Sequence, residues 1–396
     1  MIVIANLLLW LGGLPVVLAA AYLLLATLLS GKLAPLSAPT PVRRFRFIVP
    51  AHNEAAGIAE TVHSLLGVDY PESLFDVLVV ADNCNDDTAA RARAAGAEVL
   101  ERVDQEQRGK GYALHHAFER LPADVDAVVI VDADTLVSLN ILRAFTALRD
   151  AGAVAIQADY AVRNPNASWR TRLIAIAFGS FHIVRSRARE RLHLSCGLRG
   201  NGMCFSVALL GQVPHQAFSI VEDVEYGLRL GEAGHRVHYA DEAHVYGEMV
   251  SGAAAASSQR SRWEDGRRQL VRLNCGRLLK AGLGKPDRVL LDLGLDLLIP
   301  PLSRICISCV AGAGLSLTLS VVAGRAVSSL VPFVFSLCAV VCYVLRGWSV
   351  SGTGLRGLLD LGLAPVYVLW KASVRLRGRA RPGTVWVRTK REGSED

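Results

Sequence analysis

Ala127-Val128-Val129-Ile130-Val131-Asp132-Ala133-Asp134 is an apolar run, dense in β-branched residues, that ends on two carboxylates one residue apart. Bounded by polar residues, such a run predicts a fully buried strand. Its carboxylates then emerge at the carboxyl edge of an open α/β sheet, where such sheets bind ligands. Hard cations such as Mn2+ or Mg2+ prefer carboxylate oxygens and bridge them to substrate phosphates. Asp132 and Asp134 are therefore candidate metal ligands. An Asp-x-Asp tripeptide arises often by chance, so its neighbours decide the reading.

Working outward, residues 42 to about 250 alternate short apolar runs with helical patterns. Strands are predicted over 45–49, 76–81, 97–100, 127–132, 153–157 and 236–240, and helices over 55–66, 86–95, 109–120, 138–149 and 225–233. That alternation implies a parallel sheet with crossover helices. Residues 2–30 are nearly all apolar and long enough to span a bilayer. Basic residues follow this run instead of preceding it, which predicts an uncleaved anchor and not a signal peptide. Apolar segments return at about 295–323 and 327–345, and a third, 354–370, is marginal and contains Asp360. Residues 168–192 carry six arginines around the apolar stretch 173–178 and predict a helix lying on a membrane surface.

The 396 residues are 52% hydrophobic with a formal net charge of +7. That pairing suits a membrane protein with a basic cytoplasmic face, and no nucleic-acid partner is expected. Arg43, Arg44 and Arg46 follow the first apolar segment and a basic tail follows the last, marking the cytoplasmic side. If 1–30 enters the cytoplasm, 295–323 leaves and 327–345 returns; the basic tail is then cytoplasmic if 354–370 lies flat or re-enters, as the positive-inside rule favours, and a fourth span with an outer tail is the alternative. Cys306 and Cys309 have redox or zinc spacing. They lie in an apolar segment without a second pair, so inert cysteines in a reducing compartment are expected.

Five clusters fall in order along the chain. Val49-Pro50-Ala51-His52-Asn53-Glu54 ends the first strand, and Asn53 is either a plain helix cap or part of a nucleotide-binding turn. His52-Asn53-Glu54 matches the His-x-Glu of zinc deaminases, but the required Pro-Cys-x-x-Cys is absent. Asp82 to Thr88 ends the second strand; its acids serve a base or ribose, or cap the next helix. Arg108-Gly109-Lys110-Gly111 lacks the spacing of a phosphate loop, although Lys110 on a turn can still meet a phosphate. Glu222-Asp223 precedes a helix, where acids commonly make only a favourable dipole contact. Gln259, Arg262 and Trp263 share one face of a basic helix; an arginine grips pyrophosphate and a tryptophan offers a sugar an apolar plate. A basic amphipathic helix at a membrane explains these three residues equally well.

Taken together, Asp82, Asp132-x-Asp134, Glu222-Asp223 and Gln259-x-x-Arg262-Trp263 resemble the membrane-bound family 2 glycosyltransferases, the group of cellulose, chitin and hyaluronan synthases and the Nod-factor chitooligosaccharide synthase. The resemblance covers about residues 43–275. It implies a GT-A, Rossmann-like α/β domain on the cytoplasmic side of the inner membrane, in a multi-pass protein. It further implies that Pro50, Ala51, Glu54 and Asp82 hold base and ribose, and that Lys110 lies near base or phosphates. Asp132 would contact ribose or metal, Asp134 would ligate Mn2+ or Mg2+, and Asp223 would be the catalytic base. Arg262 would bind the diphosphate, Gln259, Trp263, Glu222 and Gly202 would border the acceptor, and the turn Gly200-Asn201-Gly202-Met203 would shape the acceptor site. Residues 251–258 depart from the pattern: they are small and alanine-rich and lack a proline shortly after Glu248.

The expected layout is an anchor at 1–30, a linker at 31–42, the GT-A domain at 43–275, an amphipathic connector at 276–294, a membrane region at 295–371 and a basic cytoplasmic tail at 372–396. The expected reaction is inverting, metal-dependent transfer from a UDP-sugar to a growing glycan or lipid-linked acceptor at the bilayer. Single transfer to a lipid carrier is the alternative, and an inactive nucleotide-binding subunit of an export complex is a weaker one. A homo-oligomer or an export partner is compatible with each.

Overall fold

The computed structural model describes residues 2–36, 40–249 and 253–365, with the backbone alone for 253–265. In chain order the elements are α1 (Ile2–Leu28), β1 (Phe45–Ala51), α2 (Ile58–Leu66), β2 (Phe75–Asp82), α3 (Thr88–Ala94), β3 (Glu98–Arg102), α4 (Lys110–Phe118), β4 (Ala127–Ile130), β5 (Thr135–Val137), α5 (Ile141–Asp150) and β6 (Ala155–Val162). There follow α6 (Trp169–Phe178), a π-helical segment (Gly179–Val184), α7 (Arg185–Arg191), β7 (Met203–Ser206), α8 (Val207–Gln212), α9 (Glu222–Glu232), β8 (His238–Gly247), α10 (Ala253–Gly284), α11 (Arg288–Leu298), α12 (Leu302–Ala323), α13 (Leu330–Val350) and α14 (Gly354–Asp360).

One sheet runs β3-β2-β1-β4-β7-β6-β8-β5. Strands β1 to β4 are parallel, as the alternating pattern predicts. The expectation of an all-parallel sheet is corrected by β7, antiparallel to both β4 and β6, and by β5, antiparallel to β8. Both are too short for periodicity to reveal. The strand predicted to reach 132 stops at Ile130, because the Asp132 amide turns to the Asn201 side chain (3.1 Å). The last two predicted strands are longer than expected, and their pairing breaks register between Ala158 and Asp159.

Alternation of side chains divides the core in two. Phe45, Phe47 and Val49 pack against Ile58, Val62, Leu65 and Phe145 on one face. Ile48, Val128 and Ile130 pack against Leu114, Tyr226 and Leu230 on the other. The binding edge of the sheet is thus held from both sides.

Three helices, α1, α12 and α13, are long and apolar enough to cross a membrane. At one end, Asn6 and Trp10 reach Ser328, each at 3.1 Å. At the other, Arg346 Nε donates to Ser30 Oγ (2.8 Å). Hence α1 and α13 run the same way, α12 runs back, and the α/β domain lies at the end marked by Ser30. The apolar helix expected from 295 starts only at Leu302, since Asp292 and Asp296 keep α11 beside arginines of α7. The segment 354–370 begins as the short α14, tied through Asp360 to Arg172; its end, like the basic tail, lies outside the described residues.

One further expectation is corrected. The helix over 168–192 does not lie free on a membrane surface. Its arginines are bound internally: Arg172 by Asp360, Arg187 by Asp241, and Arg185 and Arg189 by Asp292 and Asp296. Arg43, Arg44 and Arg46 likewise pair with Asp150, Asp124, Asp76 and Glu98 of the domain.

The π-helical segment packs on α13, with Tyr343 Oη donating to the Ser180 carbonyl (2.7 Å). A Cβ on Gly347 would overlap Ser180 Oγ and lie 2.8 Å from its Cβ. Gly347→Leu is therefore expected to destabilise the protein by about 1–3 kcal/mol, the usual effect of overpacking. A lower midpoint of thermal unfolding in detergent, relative to Gly314→Leu on an open helix face, checks this.

Candidate active site

The turns after β1 and β2 are cross-linked before they bind anything. Asn53 and Asn83 both adopt left-handed backbone, φ 55° and 52°, which asparagine tolerates better than most side chains. His52 Nδ1 donates to the Asp82 carbonyl (2.7 Å), and Glu54 N donates to Thr88 Oγ1 (2.8 Å). Asp82 is buried and salt-bridged to Arg102 Nη1 (2.7 Å). Pro50, Ala51, Glu54 and Asp82 therefore line the sheet's binding edge, beside the main cavity and not on its wall.

That cavity, about 1090 Å3, is bordered by Lys110, Asp132, Asp134, Gly200, Glu222 and Asp223. The Lys110 ammonium, at the start of α4, binds both Asp132 Oδ1 and the Gly200 carbonyl. Gly200 has φ +77°, and a Cβ there would sit 3.4 Å from Asp223 Oδ2. Asp132, Lys110, the Gly200 turn and Asp223 thus meet at one point.

Charge follows from this geometry. Burial alone would strip the proton from Lys110, but Asp132, Glu222 and Asp223 outweigh it and raise its pKa. Burial, then repulsion from Asp223, pushes the Glu222 carboxyl up to about 8. Burial also raises Asp223, opposed by the Val224 amide and then by Lys110; that amide donates to Oδ1 (2.8 Å). Two adjacent buried carboxyls beside one ammonium titrate as a coupled pair that holds a proton above the usual carboxylate range. The Val224 amide favours charge on Asp223, and Lys110 favours charge on both.

Asp132 and Asp134 offer hard oxygen donors on the cavity wall. Among the described residues no group of three or more His, Cys, Asp or Glu gathers to hold a metal. A cation here would complete its shell with phosphate oxygens and water, as Mg2+ usually does; the donor set fits that use.

The bonds that brace the glycine turn escaped the sequence reading, although the turn itself did not. Asn201 receives the Asp132 amide through Oδ1, donates to Thr135 Oγ1 (2.8 Å), and gives its carbonyl to Gln157 Nε2 (2.7 Å). Gln157 Oε1 accepts from Arg199 N (2.9 Å). These bonds fasten the Asp-x-Asp turn to the glycine turn; Gln157 and Thr135 lie outside the five clusters, and no local signal marks them. The named glycine is corrected too. Gly202 is buried, with a would-be Cβ 2.9 Å from Val245, and does not line the cavity, whereas Gly200 does. Gln259, Arg262 and Trp263 fall within α10, but their side chains lie outside the described residues.

Residues 41–266 match a family model described as glycosyltransferase like family 2. Among curated proteins, the chain is 22% identical over 255 residues to the probable glycosyltransferase YdaM of Bacillus subtilis, covering 62% of this chain and 60% of that protein. It is 28% identical over 241 residues to the beta-monoglucosyldiacylglycerol synthase of Synechocystis sp., covering 57% and 48%. The chain thus spans about half to three fifths of the length of these relatives. Mannosyltransferase PcManGT from Pyrobaculum calidifontis, solved in complex with GDP-Man and Mn2+, has a TM-score of 0.55 at 19% identity over 86% of this chain and 98% of that one. That likeness shows a GT-A, Rossmann-like fold.

The raised Glu222 pKa carries a stability signature. Unfolded, this carboxyl titrates near 4.5; folded, near 8. Between those values the folded state keeps a proton that the unfolded chain has lost. Stability contributed by this group is full below about 4.5 and falls as pH rises through about 8. Thermal midpoints should decline across that window, and Glu222→Gln should flatten the decline. An equal slope in both proteins would contradict it.

Proposed function

We propose, for a chain that belongs to glycosyltransferase family 2 and is therefore an enzyme using a nucleotide sugar, an inverting transfer in which Asp223 is the base. The observation that carries this reading is geometric: Asp223 meets Lys110, Asp132 and the Gly200 turn at one point on the cavity wall. An acceptor hydroxyl has a very high pKa and needs a positioned carboxylate to take its proton. Burial raises Asp223, while the Val224 amide, Lys110 and Arg199 favour its carboxylate form. One base and direct displacement invert the anomeric carbon with no covalent intermediate.

The donor is a UDP-sugar in this reading. Pro50, Ala51, Glu54 and Asp82 border its base and ribose, and Lys110 stands near its phosphates. Asp132 and Asp134 would hold Mn2+ or Mg2+, which when bound offsets charge on the departing diphosphate. Arg262 would add to that, with Gln259 and Trp263 toward the acceptor. The domain faces the cytoplasm from the inner membrane, with α1, α12 and α13 as spans.

For the acceptor, a growing glycan of a cell-surface polysaccharide and a single lipid-linked molecule are both open to this chemistry. The cavity favours the lipid-linked form. Beyond Asp223 its wall turns apolar with Ile174, Phe178, Phe181, Met249, Leu293 and Leu297, and α6 packs on the apolar helix α13.

Purified protein in detergent, given a panel of nucleotide sugars with Mn2+, is expected to release UDP from one of them. No release from any donor, with or without membrane lipid, would sink the proposal. EDTA should abolish release, and Mn2+ or Mg2+ should restore it; full activity in excess EDTA would remove the metal from the reaction. Asp223→Asn should still bind UDP and lose on the order of 10²–10⁴ in rate, whereas Glu222→Gln should lose far less. The reverse order would exchange the two roles.

A further inference from the structure

Four arginines converge where the cavity meets the membrane helices. Arg185 and Arg189 of α7 are buried and paired with Asp292 and Asp296; Arg189 Nη2 lies 3.1 Å and 3.0 Å from them. Arg199 and Arg267 are not paired in this way. Arg199 Nη2 donates to the Cys196 carbonyl (2.9 Å), its guanidinium lies 4.2 Å from the Phe181 ring centroid, and its buried Nε has no partner. Arg267 Nη2 donates to the Asp296 carbonyl (2.6 Å). Neither meets a carboxylate among the described residues. The Gly197 backbone marks the convergence: a Cβ there would lie 3.4 Å from Arg199 Nη1 and 3.9 Å from Arg189 Nη1.

Among the described residues these four buried arginines meet two carboxylates, and counting nearby Asp223 still leaves an excess. The excess is felt within the cluster. Burial, then the neighbouring arginines, pulls both Arg199 and Arg267 down to about 10. A buried charge without a counter-ion is strongly unfavourable, and guanidinium groups pair best with phosphate or carboxylate oxygens. Arg189, Arg199 and Arg267 all line the cavity, as do Phe178, Phe181 and Leu297. An anion here has an apolar wall beside it that continues toward α13. The donor phosphates have their own place at Asp132 and Asp134, and a neutral glycan would leave the excess charge unanswered.

From this juxtaposition we propose that Arg199 and Arg267, backed by Arg189, form a binding site for the phosphate of an amphiphilic acceptor, a lipid phosphate whose chain lies along Phe178, Phe181 and Leu297. The proposal rests on the transferase reading only for the word acceptor; the binding site stands on its own geometry.

Binding to full-length protein in neutral maltoside micelles, measured by calorimetry, tests it with dodecyl phosphate, dodecanol, inorganic phosphate and UDP as probes. Dodecyl phosphate is expected to bind, dodecanol not to, and inorganic phosphate at least about tenfold more weakly, as fits a site that also holds the chain. Arg267→Gln and Arg199→Gln should each weaken dodecyl phosphate by about tenfold or more, the loss of a charged hydrogen bond, with UDP affinity within about twofold. Should Arg199→Gln fail to fold, Arg199→Lys keeps the charge and is expected to retain binding, leaving Arg267→Gln as the test. Equal binding of dodecanol, or unchanged affinity in Arg267→Gln, would overturn the proposal. Inorganic phosphate binding as tightly as dodecyl phosphate would reduce it to a free-anion site and overturn the lipid. Lost UDP binding or absent transfer with dodecyl phosphate still bound would refute the transferase reading and leave this site standing.

Discussion

The candidate site depends on one ammonium group. Lys110 binds Asp132 and the Gly200 carbonyl, and it lowers the ionisation cost of Glu222 and Asp223. Four segments, the α4 N-terminus, the Asp-x-Asp turn, the glycine turn and the α9 N-terminus, would otherwise bring three carboxylates together in a buried space. Such a group of like charges holds together only around a cation or by keeping protons. Both devices are used: Lys110 stays charged, and burial raises both carboxyls of the Glu222–Asp223 pair. The turn at Gly200 follows from the same constraint, since a side chain at φ +77° and 3.4 Å from Asp223 would intrude on the point where the groups meet.

A second polar cluster joins the domain to the apolar helices. Tyr22 of α1 donates to Asp292 Oδ1 (3.0 Å) and accepts from Arg189 Nε (3.0 Å), while Asp296 binds Arg185 and Arg189. The cluster links α1, α7 and α11. Nearby, α6 and the π-helical segment sit on α13 through Tyr343 and the small residues Gly179 and Gly347. The π-helical segment also carries His182, whose Nδ1 donates to the Tyr160 carbonyl (2.7 Å) and whose pKa burial, then Arg199, brings down to about 3. Irregular helix of this type is often found at functional sites, and here it forms cavity wall on one side and helix contact on the other. This end of the cavity is thereby held next to the apolar helices.

Much of this was legible in the sequence because it is encoded locally. Apolar runs such as 45–49, 76–81 and 127–130 specify strands by composition, and the helices between them specify crossovers by period. Twenty or more consecutive apolar residues specify a spanning helix whatever surrounds them. The order of Asp82, Asp132-x-Asp134, Glu222-Asp223 and Gln259-x-x-Arg262-Trp263 sufficed to identify the family. Tertiary structure decided the pairings. Lys110 and Gly200 are 90 residues apart, and Arg185 and Asp296 are 111 apart. A charge's partner depends on which segments the fold brings together and how much water it removes, and neither is written in the local period. The arginines of 168–192 thus read as a membrane-facing helix until Asp292, Asp296, Asp241 and Asp360 came within reach. In the same way Gly202 and Gly200 were indistinguishable in sequence, and only the three-dimensional path of the chain turned one into the core and the other toward Asp223.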